Sequence, residues 1–397
     1  MKRHLIGIGG VGMSALAVAL LRRGEEVSGS DRNLTSPNVR FLESLGIKVF
    51  PDDGSGVDDS TGEVIVSTAI EETNKGIAKA LSFGVPVTHR AKALSQLLSD
   101  KKLIGVAGTC GKSTVTAMLG HILSECGMDP FCVNGANVPG WEGAVRSGAG
   151  EYAVAEIDES DKSLVAFSPY AAVITNSSSD HYSKEEMDEV FDAFVSGVPG
   201  PVVDGRREAL GEEATSIPGY HNRVNAAAAL RMAVSLGCDK EAARAALISF
   251  RGVERRLQKV GARVFDDYAH NPEKLRAMWE TVSEMYPQGI CVIWRPHGYG
   301  PLRKMMDDLK DAFSKCMRPS DALLVLPVYD AGGTADRSVN SADLVKLLEG
   351  EALTVEDFDE AVEWCRARKD RFGAFVTCGA RDPDLPSFAL RLSQAVE

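Results

Sequence analysis

Short β-branched runs alternate with longer helical stretches along this chain, the rhythm of parallel sheets with crossover helices. His4–Ile8 reads as a strand, Ser14–Arg23 as a helix and Glu26–Ser30 as the next strand, with Val64–Ser67 and Val85–Thr88 following. A polar break near Asp100–Lys102 precedes a fresh strand, Leu103–Ala107, and Tyr152–Glu156 and Ala171–Thr175 continue that second group. Gly197, Pro199, Gly200, Pro201 and Gly205 read as an abbreviated loop, and Pro218–Ser235 as a turn followed by an alanine-rich helix. After Phe250–Arg256 a third group begins with Arg263–Phe265 and continues through Gly289–Trp294, Ala322–Pro327 and Ala374–Cys378. The pattern predicts an α/β protein of three domains, 1–100, 101–256 and 257–397, within the two to three expected of 397 residues.

Composition narrows the class. With 44% hydrophobic and 25% charged residues the chain reads as a soluble globular protein, and a net charge of −12 argues against nucleic acid as a partner. No apolar run approaches the roughly 20 residues that cross a bilayer. The basic start before Leu5 resembles a signal peptide, but the glycine-rich interruption favours a strand–turn–helix. Eight cysteines without a C-x-x-C pair and seven histidines without a zinc pattern suit a reduced, cytoplasmic protein. Monomer and homodimer both stay open.

Two glycine loops carry the chemistry. Gly7-Ile8-Gly9-Gly10-Val11-Gly12 fits G-x-G-x-x-G between a strand and a helix, and Asp31 stands 19 residues beyond Gly12. Such glycines let the backbone approach a pyrophosphate at a helix N-terminus, and such an acid holds a ribose; a nicotinamide dinucleotide and another diphosphate fit alike. Gly108-Thr109-Cys110-Gly111-Lys112-Ser113-Thr114 also joins a strand to a helix, with Ala107 where the longer phosphate-loop pattern has its first glycine. Lys112 would reach the β- and γ-phosphates of ATP, and the Ser113 hydroxyl would ligate Mg²⁺. This reads as a P-loop-type central domain behind a Rossmann-like first one. Downstream, Glu156-Ile157-Asp158-Glu159-Ser160-Asp161 and Thr175-Asn176-Ser177-Ser178-Ser179-Asp180-His181 each follow a strand and would emerge beside the phosphate loop, where a carboxylate and an imidazole can hold cations. A chain with both loops acts on something nucleotide-linked at the expense of ATP.

Together these segments resemble the Mur ligase family. The likeness runs through GIGGVGMSALA at 7–17, SGSD at 28–31, GTCGKST at 108–114, AEIDESDKS at 155–163 and TNSSSDH at 175–181. It continues through PGYHNRVNAAAA at 218–229, FRGVERR at 250–256, DDYAHNP at 266–272 and LPVYDAGG at 326–333. The resemblance implies a Rossmann-like C-terminal domain and an ATP-dependent, amide-forming ligase of peptidoglycan biosynthesis. Its small-molecule substrates would be UDP-N-acetylmuramate and an amino acid, L-alanine first among them, joined through an acyl phosphate. It also implies roles. Gly9, Gly10, Val11 and Gly12 would contact the UDP diphosphate, Lys112 the γ-phosphate, Ser113 and Glu156 a first Mg²⁺ and His181 a second. Asn222 and Asn225 would lie beside adenine, Arg256 near the phosphates and Asp267 near the ATP ribose. Tyr268 and His270 would face the reaction centre, and His297 and Tyr299 the amino acid.

Three features depart from the family pattern. Cys110 replaces the usual histidine and is expected to offer its backbone amide to phosphate all the same. The stretch from Phe194 to Pro218 is shortened. Gly298 stands where an arginine follows the Pro296-His297 pair, so Arg295 or Arg303 is expected to supply an α-carboxylate clamp from a shifted position. A sibling ligase with another acceptor or amino acid, and an NAD-dependent oxidoreductase reading Gly7–Gly12 at face value, are the alternatives.

Overall fold

The computed structural model describes residues 1–158, 163–177, 184–330 and 336–397. It is an α/β structure with three sheets, as the alternation of elements predicts. The first sheet runs Lys48–Pro51, Glu26–Asp31, Lys2–Ile6, Glu63–Val66, Val87–His89, with every pair parallel. The chain leaves Lys2–Ile6 to one side and later returns to the other. Its carboxyl end is therefore the switch point at which open α/β sheets place ligands. The strand ends two residues earlier than the pattern predicts, because Gly7 turns the backbone with φ +73°.

The second sheet runs Val202–Asp204, Ala171–Ile174, Lys102–Ala107, Tyr152–Glu156, Phe131–Val133, Val145–Arg146, and only the last pair is antiparallel. The supposed loop between Phe194 and Pro218 contains its edge strand, Val202–Asp204. Three residues flanked by glycine and proline are too few to register as a strand in sequence. What seals that edge is Arg206, only 6% exposed, which donates to Asp204 and Asp192 at 2.7 Å and to Asp188 at 3.2 Å.

The chain divides into two compact units. Met1–Ser216 with Asn222–Val253 forms the first, and Ile217–His221 with Glu254–Glu397 the second. In the first unit both sheets share one apolar core, in which Leu16, Leu20, Leu94 and Leu98 are continuous with Phe131, Leu164 and Phe167. In the second unit the third sheet runs Gln258–Lys259, Val264–Asp267, Ala374–Gly379, Ile290–Arg295, Ala322–Val325, Ala352–Thr354, antiparallel only at its first pair. Along Ile290–Arg295, Ile290, Val292 and Trp294 enter one apolar cluster while Cys291 and Ile293 enter another. Alternate side chains face opposite sides of a strand, so helices covering both faces demand an uninterrupted apolar run. All eight cysteines are free thiols. Among the described residues no helix is long and apolar enough to cross a membrane.

Candidate active site

Strand register assembles the phosphate-loop region. Ala107 lies opposite Ile174 on one side, and its neighbour Val106 lies opposite Glu156 on the other. The loop Gly108–Gly111, Thr175–Asn176 and the Glu156 carboxylate therefore emerge together at one carboxyl edge. Gly108 (φ +125°) and Gly111 (φ +87°) have backbones that L side chains rarely adopt. A Cβ on Gly108 would lie 2.1 Å from Thr175 Oγ1, and one on Gly111 2.5 Å from Asn225 Oδ1. These glycines thus set the loop's shape and leave room for Asn225 of the helix Tyr220–Ser235 to lie against it.

Gly111 caps the helix Lys112–Glu125, which places Lys112, Ser113 and Thr114 in its first turn. Lys112 Nζ donates to the Gly108 carbonyl at 2.7 Å, so its ammonium folds over the loop. Ser113, Thr114 and Thr109 are buried, as are Asn222 and Asn225, whose side chains approach at 3.5 Å. Cys110 departs from expectation. Its amide donates to Asn176 Oδ1 at 3.0 Å, and its carbonyl accepts from Thr175 Oγ1 at 2.6 Å and Asn176 Nδ2 at 2.9 Å. The peptide that was to face phosphate is held by its neighbours instead. Thr175 and Asn176 are the loop's fasteners, a role that sequence spacing did not reveal.

Glu156 Oε2 accepts from the Gly135 amide at 2.7 Å, and a Cβ on Gly135 would lie 2.4 Å from that carboxylate. Among the described residues no three His, Cys, Asp or Glu side chains gather as a metal site. Mg²⁺ asks for less, since it is commonly held by one or two protein oxygens plus substrate phosphates. Glu156, at the end of the strand beside Lys102–Ala107, and Ser113, in the first turn of the helix that follows the loop, are residue types that meet that requirement. His181 and residues 159–162 lie outside the described residues.

At the first sheet, Gly9, Gly10, Val11 and Gly12 form the turn into the helix Val11–Arg22, whose first turn carries no acid. Asp31 Oδ2 accepts from the Gly9 amide at 2.8 Å and Oδ1 from the Asn33 amide at 2.9 Å. The acid read as a ribose ligand thus fastens the glycine loop. Sequence reading missed Arg90, whose guanidinium lies against Gly12.

In the second unit Asp267, Arg295 and Gly379 end three neighbouring strands. Asp267 accepts from the amides of Leu257 and Ala269, both at 2.7 Å; burial pushes its carboxyl above the usual range, with Arg256 pulling the other way. Arg256 lies over the Tyr268 ring, 5.1 Å from its centroid. The Tyr268 ring meets His270 edge-on at 5.5 Å, and His270 meets His297 at 4.8 Å. His270 Nδ1 is 2.8 Å from the Tyr268 carbonyl, which can only accept, so Nδ1 carries the proton and Nε2 is the basic nitrogen.

The shifted clamp meets an obstacle. Arg295 is paired at 2.6 Å with Asp382, itself 2% exposed, and is flanked by the rings of Tyr329 and Phe358. Arg303 is paired with Asp336 at 2.9 Å. A third arginine, Arg337, lies over the Tyr299 ring at 5.8 Å and donates to Asp330 at 2.8 and 3.1 Å. Nothing in its sequence surroundings marks it. Gly298 has φ +153°, so the missing arginine is matched by a backbone that suits glycine.

Glycine loops opening helices at the carboxyl edges of two parallel sheets make this a doubly wound α/β protein of the nucleotide-site type. Comparison narrows the class. Residues 2–102 match the model described as Mur ligase family, catalytic domain, and residues 254–381 the one described as Mur ligase, glutamate ligase domain. A UDP-N-acetylmuramate–L-alanine ligase of Rubrobacter xylanophilus is 34% identical over 441 residues, 96% of this chain and 97% of its own. One from a Synechococcus strain is 34% identical over 394 residues, 86% of this chain and 81% of its own. The crystal structure of the UDP-N-acetylmuramate–alanine ligase of Thermotoga maritima superposes with a TM-score of 0.82 at 27% identity, covering 99% of this chain and 98% of that one. The chain belongs to the Mur ligase family.

Proposed function

We propose that this protein is an ATP-dependent ligase joining an amino acid, L-alanine first, to the lactyl carboxylate of UDP-N-acetylmuramate. The observation that carries the reading is the near full-length likeness to enzymes of that name, on a chain that retains Lys112, Ser113 and Glu156 around one strand edge. The oxidoreductase alternative gives these three residues nothing to do.

In this reading the acceptor carboxylate attacks the γ-phosphorus of ATP, forming an acyl phosphate and releasing ADP. The amino acid's nitrogen then attacks the carbonyl carbon, and inorganic phosphate leaves. Positioning and charge neutralisation supply most of the catalysis, because the chain forms no covalent intermediate of its own. Lys112 exchanges the Gly108 carbonyl for the γ-phosphate and offsets its developing charge. Asn222 and Asn225 flank the adenine beside the loop. Ser113 and Glu156 would hold Mg²⁺, which would screen the phosphate oxygens from the incoming carboxylate.

The amino acid belongs to the second unit's cluster. His270 Nε2 takes a proton from the ammonium, and His297 and Tyr299 flank the substrate. Arg337 and Asp330 offer one charge each to a zwitterion's carboxylate and ammonium, in place of Arg295 and Arg303. A phosphate-release screen with ATP, UDP-N-acetylmuramate and each of the twenty amino acids tests the assignment. Release stimulated by L-alanine, glycine or L-serine supports it, and release that ignores the acceptor contradicts it.

A further inference from the structure

Gly12 is where the third glycine of the first loop allows close packing, and here what packs on it is a cation. A Cβ at Gly12 would lie 2.6 Å from Arg90 Nη1 and 3.2 Å from its Cζ. Arg90 opens its own helix, Arg90–Leu97, and neither that helix nor Val11–Arg22 has an acidic residue in its first turn. Helix N-termini are electropositive, so a guanidinium among them is repelled unless something negative joins it. Among the described residues Arg90 has no ion pair or hydrogen-bonded acid, although it is half-buried. Asp31, the acid at this loop, spends both oxygens on the amides of Gly9 and Asn33. A guanidinium beside two helix starts favours an anionic ligand.

We infer that Arg90 is the cationic partner of the acceptor's diphosphate, gripping it across the glycine loop, and that Gly12 is glycine because any side chain would displace this guanidinium. The inference rests on the acceptor reading above and extends it to a residue outside the glycine fingerprint. The backbone amides of Val11 and Gly12 at the helix start supply dipoles, whereas Arg90 supplies the full charge that a diphosphate pairs with most strongly. Shape selects the loop's ligand and Arg90 sets its affinity.

The test compares wild type, Arg90→Ala, Arg90→Lys and Gly12→Ala by UDP thermal shift and steady-state kinetics, with the ligand-free melting temperature reporting the fold. Arg90→Ala is expected to lose most UDP stabilisation and to raise the acceptor KM at least tenfold, leaving the ATP KM and the kcat at saturating acceptor near wild type. Arg90→Lys keeps the charge without the fork and should fall between. Gly12→Ala should mimic Arg90→Ala, and the double variant should be no worse than either, because both remove one interaction. Wild-type protein stabilised by UDP beside an Arg90→Ala protein stabilised equally would overturn the role of Arg90 alone. Wild-type protein indifferent to UDP would overturn the acceptor reading, and this inference with it.

Discussion

Lys112 and Gly111 show how differently neighbouring residues can serve one loop. Lys112 brings a charge, so Lys112→Ala should abolish ligation while leaving the melting temperature close to wild type. Gly111 brings a conformation. Gly111→Ala must hold φ near +87° and push against Asn225 Oδ1, so it should weaken ATP binding and also destabilise the protein by about 1–3 kcal/mol. Denaturant titrations beside ATP-binding assays separate the two behaviours. The arginines divide in the same way. Arg295→Ala would strand the buried Asp382 carboxylate at a cost of about 3–5 kcal/mol, a loss of stability before any loss of specificity. Arg337→Ala should instead raise the amino-acid KM more than tenfold with little change in fold. Equal amino-acid KM values for wild type and Arg337→Ala would return the carboxylate to another residue. Lys112 could be read from sequence because its role is local, written in a glycine loop at a strand-to-helix junction. Arg90 and Asn176 could not, since Arg90 meets Gly12 and Asn176 meets Cys110 only after segments far apart in sequence have been brought together.

The strands are where the sequence reading succeeded and where it stopped. Apolar runs such as Leu103–Ala107 and Ile290–Trp294 are legible because burial on both faces leaves no room for polar residues. Edge strands such as Val202–Asp204 and Gln258–Lys259 are short and partly exposed, so their composition says little. The first of them depends on Arg206. Removing that guanidinium would leave Asp204 with Arg207 as its remaining cation, and Arg206→Ala should lower stability, read by denaturant titration. Lys2–Ile6 carries a different polar burden. His4, buried between the hydroxyls of Ser28 and Ser30, is held down to about 4 chiefly by burial, with Lys2 adding to the effect. The fold thus accepts only the neutral ring. Its contribution is complete above pH 6.5, the ordinary histidine value, and falls by roughly 3 kcal/mol as the pH drops to about 4. Stability measured across that window should decline in wild type and be flatter in His4→Asn.

At the scale of the whole molecule, one chain carries two glycine loops that would be puzzling apart. One sits at the switch point of the first sheet with a lone guanidinium beside it, and the other at the edge of the second sheet beside Glu156. A ligase that activates a nucleotide-linked carboxylate with ATP needs both. That edge is held by the parallel pairing of Ala171–Ile174, Lys102–Ala107 and Tyr152–Glu156, with Val202–Asp204 added beyond Ala171–Ile174. The central claim is that the acceptor carboxylate becomes an acyl phosphate before the amide forms, which fixes the fate of one oxygen atom. UDP-N-acetylmuramate labelled with ¹⁸O in its lactyl carboxylate, turned over with ATP and L-alanine, should yield inorganic phosphate carrying one labelled oxygen for each amide formed, as read by mass spectrometry. Amide formation with unlabelled phosphate, or phosphate released without amide, would contradict it.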